Sequence, residues 1–188
     1  ATTGDSALWD ESVPFLEGPA LDPGEAERYL APHRSHLAAS IYEHCCLAID
    51  RSLAVGAHGL PLMGCGDWND GMSRIGQGGR GESVWVGWFL IRTIGMFASK
   101  ADSRDAERAS QWRDRALSIQ QAIESSAWDG QWYRRATFDD GTWLGSKDAD
   151  ECQIDSIAQS WAVLSRAADP ERSSVAMDSL LRELVRDE

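Results

Sequence analysis

The stretch from Glu82 to Ser99 constrains this chain more than any other. Val84, Trp85, Val86, Trp88, Phe89, Leu90, Ile91, Ile94, Met96 and Phe97 crowd it, with Arg92 and Lys100 as its only cations. A run apolar on nearly every side of a 3.6-residue period predicts a helix buried all round, so other helices must cover it. Neighbouring patterns supply them. From Ser35 to about Val55, Leu37, Ile41, Cys45, Ala48, Ile49 and Leu53 recur at three- and four-residue steps, predicting a long amphipathic helix closed by Gly56. Ser103 is placed to cap a further helix running to about Ser126, with Ala106, Ala109, Trp112, Ala116, Ile119 and Ile123 on one face and charges on the other. Asp155 or Ser156 caps the next, with Ile157, Ala158, Trp161, Ala162 and Leu164 inside. Asp169-Pro170 separates it from a last helix beginning near Glu171.

The remaining segments are not helical. Pro14, Pro19 and Pro23 predict an irregular arm over residues 1–24, pinned by Trp9, Phe15 and Leu16, with a short helix from Glu25 to Leu30. Gln131–Phe138 alternates like a strand, Asp139-Asp140-Gly141 is a hairpin turn, and Thr142–Leu144 returns. Strands and helices do not alternate and no solenoid repeat is visible, so the class is mainly α, with antiparallel helix neighbours and one β-hairpin insertion. The chain opens without Met, and Leu180–Val185 is still in helical register just before it ends, so a segment of something longer is expected, one partial domain over 1–188.

Composition narrows the partners. A net charge of −12 without a basic stripe argues against nucleic acid and anionic membrane. No apolar run approaches the roughly 18–20 residues that span a bilayer, so no membrane insertion of this segment is expected. The four cysteines lack CxxC spacing and the four histidines form no HExxH pair, predicting reduced thiols, a cytoplasmic setting and no metal site. Nine tryptophans exceed what such a core needs, and surplus rings beside carboxylates suit carbohydrate.

The chemistry concentrates in Gly59–Met72, a loop broken by glycines and Pro61. It places Asp67, Trp68, Asn69 and Asp70 in succession. The two carboxylates can bind sugar hydroxyls or deliver a proton, and Trp68 offers a flat apolar face to a pyranose ring. The same residue types also form turns for local reasons. Gly76–Gly81 extends the loop; without a preceding strand or a GK[ST] ending it predicts a flexible rim rather than a phosphate cradle.

Gly64-Cys65-Gly66-Asp67-Trp68-Asn69-Asp70-Gly71-Met72, followed by Gly81-Glu82-Ser83-Val84-Trp85, resembles the catalytic loop of glycoside hydrolase family 94. Tyr42–Leu53, Trp128–Ala136 and Gln153–Val163 extend the resemblance in the right order over nearly the whole chain. Within the family the segment is most similar to the C-terminal phosphorylase domain of cyclic β-1,2-glucan synthases, ahead of 1,2-β-oligoglucan, cellobiose and chitobiose phosphorylases. The resemblance implies an (α/α)6 barrel, of which this segment would supply about half, the rest of the barrel being its partner. It implies inverting phosphorolysis of a β-linked glucan: inorganic phosphate, a co-substrate rather than a cofactor, attacks the anomeric carbon and yields α-glucose 1-phosphate. By motif position Asp70 is the general acid and Trp68 lines the subsite of the transferred sugar.

Other roles stay open. Asp67 and Asn69 either bind sugar hydroxyls or hold the loop. Glu82 either touches substrate or is a favourable charge at a helix N-terminus. Gln159 and Trp161 either wall the pocket or pack. Cys65 stands where a small Ser is expected in relatives. The family's sugar-gripping Arg/Asp group and its phosphate-serving loop, histidine and Thr-Gly pair have no counterpart here, so the segment alone is expected to be inactive. A synthase parent would place it at the cytoplasmic face of a bacterial inner membrane. An inverting hydrolase, needing a base such as Glu82, Asp67 or Glu151, and a non-catalytic glucan-binding module are the alternatives.

Overall fold

The computed structural model describes residues 5–22, 25 and 28–185, with Asp70 described by its backbone alone. The chain forms two compact units, residues 1–52 and 53–188. In the first, strand β1 (Ser12–Glu17) pairs antiparallel with β2 (His33–Ser40), Ser12 opposite Ser40 and Glu17 opposite His33. The register slips between Pro14 and Leu16, where proline removes a ladder donor. Helix α1 (Ile41–Ser52) follows β2 directly, and the Ser40 hydroxyl accepts the Glu43 N–H at 3.1 Å. Tyr42, Cys46 and Ile49 form its buried stripe. A ring nitrogen of His44 lies 3.0 Å from the Val13 carbonyl oxygen, which ties α1 to β1.

The irregular arm expected over residues 1–24 therefore contains one strand of a ribbon, and the helix expected from Ser35 begins at Ile41. Leu37, counted on its apolar face, is exposed in β2. A pairing partner some twenty residues away leaves no mark on a three-and-four periodicity. Pro23 and part of the helix expected at Glu25–Leu30 lie outside the described residues; Glu25 and Arg28 are not helical, and Arg28 bonds Asp22 and Glu25.

In the second unit, strand β3 (Glu82–Ser83) runs straight into helix α2 (Val84–Ala101). The Ser83 hydroxyl caps α2 by accepting the Val86 N–H at 3.1 Å. Helix α3 (Ala106–Ala122) is capped by Asp105 rather than the expected Ser103, and one π-helical turn (Ile123–Ala127) closes it. Strands β4 (Ala136–Thr137) and β5 (Trp143–Leu144) are the expected hairpin. Strand β3 adds to its free side, giving the antiparallel order β3-β4-β5. Helix α4 (Ser156–Ser165) is capped by Asp155, and α5 (Pro170–Leu184) by Asp169 with Pro170 in its first turn.

Helix α2 packs on α3 and α4, and α4 packs on α5. Trp88, Ile94 and Ala98 of α2 are buried, as are Trp112 and Ile119 of α3. Burying a side chain the size of Ile94 or Ile119 stabilises by about 1.5–3 kcal/mol. Yet α2 is not covered all round: Phe89 is 42% and Met96 58% exposed. The chain is mostly helical, with five α-helices and two small sheets among the described residues. None of those helices is long and apolar enough to cross a membrane.

Candidate active site

The loop between α1 and β3 is built on the sheet. Leu62 bridges Glu82, the Met63 N–H bonds the Gly81 carbonyl at 2.8 Å, and the Ser83 N–H bonds that of Pro61 at 2.9 Å. Beyond Met63 the chain turns through Gly64 and Gly66, whose φ angles of +62° and +145° are ones a residue with a Cβ rarely adopts. That turn delivers Asp67 beneath the loop.

The Asp67 side chain is fully buried. Its Oδ1 accepts the Asn69 N–H at 3.1 Å, forming a local turn. Its Oδ2 accepts from the Ser83 hydroxyl at 2.8 Å and lies 2.6 Å from Nη2 of Arg135. Arg135 is equally buried, and its Nη1 donates to Ser83 Oγ at 3.2 Å. Both charges have left water, so each depends on the other. Of the two roles open to Asp67, the bonds it makes are those of a residue that holds the loop.

Trp68 next to it is 74% exposed. Its ring centroid lies 6.4 Å from that of Trp85. Trp85 stacks on Phe89 at 5.6 Å, and Trp161 meets Phe89 edge-on at 5.1 Å. Trp68 and Trp161 thus join one aromatic cluster with Trp85 and Phe89. Trp85, Trp88, Trp112 and Trp132 are buried, so much of the tryptophan surplus is core. Asn69 bonds Asp67 through its N–H, and its carbonyl accepts the Met72 N–H at 3.1 Å. Asp70 opens the 3-10 turn Asp70–Met72; its side chain lies outside the described residues.

Glu82 and Gln159 are placed elsewhere. Successive residues of a strand face opposite ways, so where Ser83 meets Asp67, Glu82 turns to the other side. There its buried carboxylate accepts the N–H groups of His58 and Leu60, both at 3.0 Å, and pairs with His58 Nδ1 at 2.5 Å. Gln159 is fully buried, accepting the Tyr133 N–H at 2.8 Å and donating to the Tyr133 carbonyl at 2.7 Å. Each braces backbone. A groove of about 610 Å³ lined by His58, Arg80, Glu82 and Asp140 includes none of Asp67, Trp68 and Asn69.

The glycine-rich rim is anchored, contrary to its expected flexibility. The Asp139 carboxylate accepts the N–H groups of Gly78, Arg80 and Gly81 at 2.6, 2.8 and 2.9 Å. These bonds, from Arg80 and Gly78 first, hold the Asp139 carboxyl below its ordinary value. A carboxyl lowered by folding stabilises above the unfolded value of about 3.9, and that contribution disappears as pH falls through the folded value. Asp139→Ala is expected to speed amide exchange at Gly78, Arg80 and Gly81 about tenfold at neutral pH. In the wild type the same amides should lose protection only below about pH 4. Unchanged exchange in the variant would mean that other contacts hold the loop.

Sequence reasoning missed Arg135. The available signal was a charge inside an alternating apolar strand, in the doublet Arg134-Arg135. Period two sends the pair to opposite sides: Arg134 bonds Asp129 at 2.7 Å while Arg135 enters the interior. None of the four cysteines is in a disulfide, and no group of three His, Cys, Asp or Glu among the described residues could hold a metal.

Residues 2–188 match the Glycosyl hydrolase 94 superfamily, catalytic domain. Over 187 residues the chain is 46% identical to "Cyclic beta-(1,2)-glucan synthase NdvB" of Rhizobium meliloti (strain 1021), covering 98% of this chain and 7% of that protein. It is 34% identical over 181 residues to "Solabiose phosphorylase" of Paenibacillus borealis, covering 95% of this chain and 21% of that one. Over 148 residues it is 38% identical to "3-O-beta-D-glucopyranosyl-beta-D-glucuronide phosphorylase" of the same organism, covering 76% and 19%. The chain therefore spans a fifth or less of most of these relatives' length, and 21% at most.

Proposed function

The chain belongs to the glycosyl hydrolase 94 superfamily, and on that premise we propose that it forms part of a carbohydrate phosphorylase domain acting on β-1,2-linked glucan. A phosphate oxygen bonds to the anomeric carbon as the glycosidic C–O bond breaks. Asp70 gives its proton to the departing oxygen, and the product is α-glucose 1-phosphate with a glucan one unit shorter. Phosphate is already a competent nucleophile, so one acid suffices and no base is needed. The segment contributes roughly half of an (α/α)6 barrel to this reaction, in the cytoplasm or at the cytoplasmic face of a bacterial membrane, and trims chain length where the parent is a glucan synthase.

The observation that carries this reading is the family match over residues 2–188, joined to a loop in which Asp67 is locked away while Trp68 beside it stands 74% exposed. A hydrolase needs a second free carboxylate some distance from the acid, roughly 6.5–9.5 Å. Asp67 and Glu82, two candidates for that base, are buried and bonded internally. Glu151, the third candidate, is exposed, so it is the base that a hydrolase reading would have to use within this segment.

The test is to incubate the full-length protein with linear β-1,2-glucooligosaccharides, with and without phosphate, and assay α-glucose 1-phosphate. Product that requires phosphate supports the reading; phosphate-independent glucose release assigns a hydrolase. Product from another β-glucoside alone keeps the mechanism and corrects the linkage. Trp68→Ala should raise KM for the glucan about tenfold, the value of one lost apolar stacking face, without lowering the melting temperature. An unchanged KM would remove Trp68 from the sugar subsite.

A further inference from the structure

We infer that Arg135 is the positioning residue of the catalytic loop, and that Asp67 acts through Arg135 rather than on substrate. The inference rests on the reaction proposed above, because it assigns a supporting residue to that site. Three parts of the second unit converge on one guanidinium. Nη2 lies 2.6 Å from Asp67 Oδ2, three residues before Asp70 in the same loop. Nη2 also lies 3.1 Å from the sulfur of Met72, at the other end of the turn that Asp70 opens. Nη1 reaches Ser83 Oγ, the cap of α2, at 3.2 Å. Nε lies 3.6 Å from Oδ2 of Asp155, whose Oδ1 caps α4 by accepting the Ile157 N–H at 2.8 Å.

The turn bearing Asp70 is thus gripped on both sides, at Asp67 and at Met72, by a side chain that also refers it to the N-termini of two helices. The Asp67 and Arg135 side chains are both 0% exposed, so water cannot substitute for either. A planar guanidinium can meet these partners at once, whereas an ammonium on a flexible stem cannot reproduce the fork. Displacing a reacting group by about 1 Å can cost about 10²-fold in rate, with substrate binding little affected.

The test uses the full-length protein, inorganic phosphate and β-1,2-glucooligosaccharides, comparing wild type with Arg135→Lys, Asp67→Asn and the double variant. Each single change should lower kcat about 10²-fold with KM within about threefold. The double variant should lose no more than the worse single one, because both residues belong to one device. A rise in KM from Asp67→Asn without loss of kcat would make Asp67 a substrate ligand and overturn the inference. So would singles whose losses multiply, or kcat unchanged in Arg135→Lys. If Arg135→Lys does not fold, Asp67→Asn decides by the same split of kcat from KM. If that variant also fails to fold, the pair is a stability device and the positioning role is withdrawn. Failure of the functional reading looks different: the wild type itself then gives no phosphate-dependent product from any β-glucoside.

Discussion

Asp70→Asn is expected to lower phosphate-dependent formation of α-glucose 1-phosphate from β-1,2-glucan by roughly 10²–10⁴-fold, the usual value of a general acid. The departing group in a glucan is a sugar hydroxyl, which as a bare alkoxide is a very poor leaving group. An Asn of the same shape keeps the loop geometry and removes only the proton. A dinitrophenyl β-glucoside separates the roles, because dinitrophenolate leaves without protonation. With that donor the variant should run within about tenfold of wild type, since acid catalysis contributes little there. Equal losses with both donors would mean that Asp70 shapes the site rather than protonating the leaving oxygen. The pH dependence has a definite sign. A general acid works only while it holds its proton, so kcat/KM must fall as pH rises through its titration.

Arg135→Met is expected to destabilise the fold by about 3–5 kcal/mol, because it strands the Asp67 carboxylate in a place that water does not reach. At about 2–4 °C per kcal/mol for a domain of this size, thermal unfolding should move down by roughly 10 °C. The size comes from the unpaired charge rather than from the lost bond. Hence Arg135→Met combined with Asp67→Asn should recover much of the loss, since a buried pair replaced on both sides costs far less than one broken on one side. Circular dichroism melts of the four proteins check this. A double variant as unstable as the two singles summed would show that Arg135 stabilises through Ser83 and Asp155 instead.

Both expectations concern residues that differed in legibility. Asp70 and Trp68 could be singled out because the loop motif is contiguous and its residue types match a reaction. The hairpin at Asp139–Gly141 and the cap at Asp155 were equally legible, because turns and caps are decided within three or four residues. Asp67, Glu82 and Gln159 looked like site residues for the same reason that they are buried: each is a strong acceptor that must find donors. The sequence contains no indication of which donors, substrate hydroxyls or backbone N–H groups, would be nearest.

The family, the helical class and the loop that carries Trp68 and Asp70 follow from the sequence alone, because periodicity, capping and a contiguous motif are local properties of the chain. Tertiary structure alone decided that β1 and β2 pair, that Asp139 anchors the glycine-rich loop, and that Asp67 faces Arg135. Each is a contact between segments remote in sequence, and for the fully buried Asp67–Arg135 pair the strength also depends on water being excluded by everything packed around it. No window of neighbouring residues records that exclusion; only the folded arrangement does.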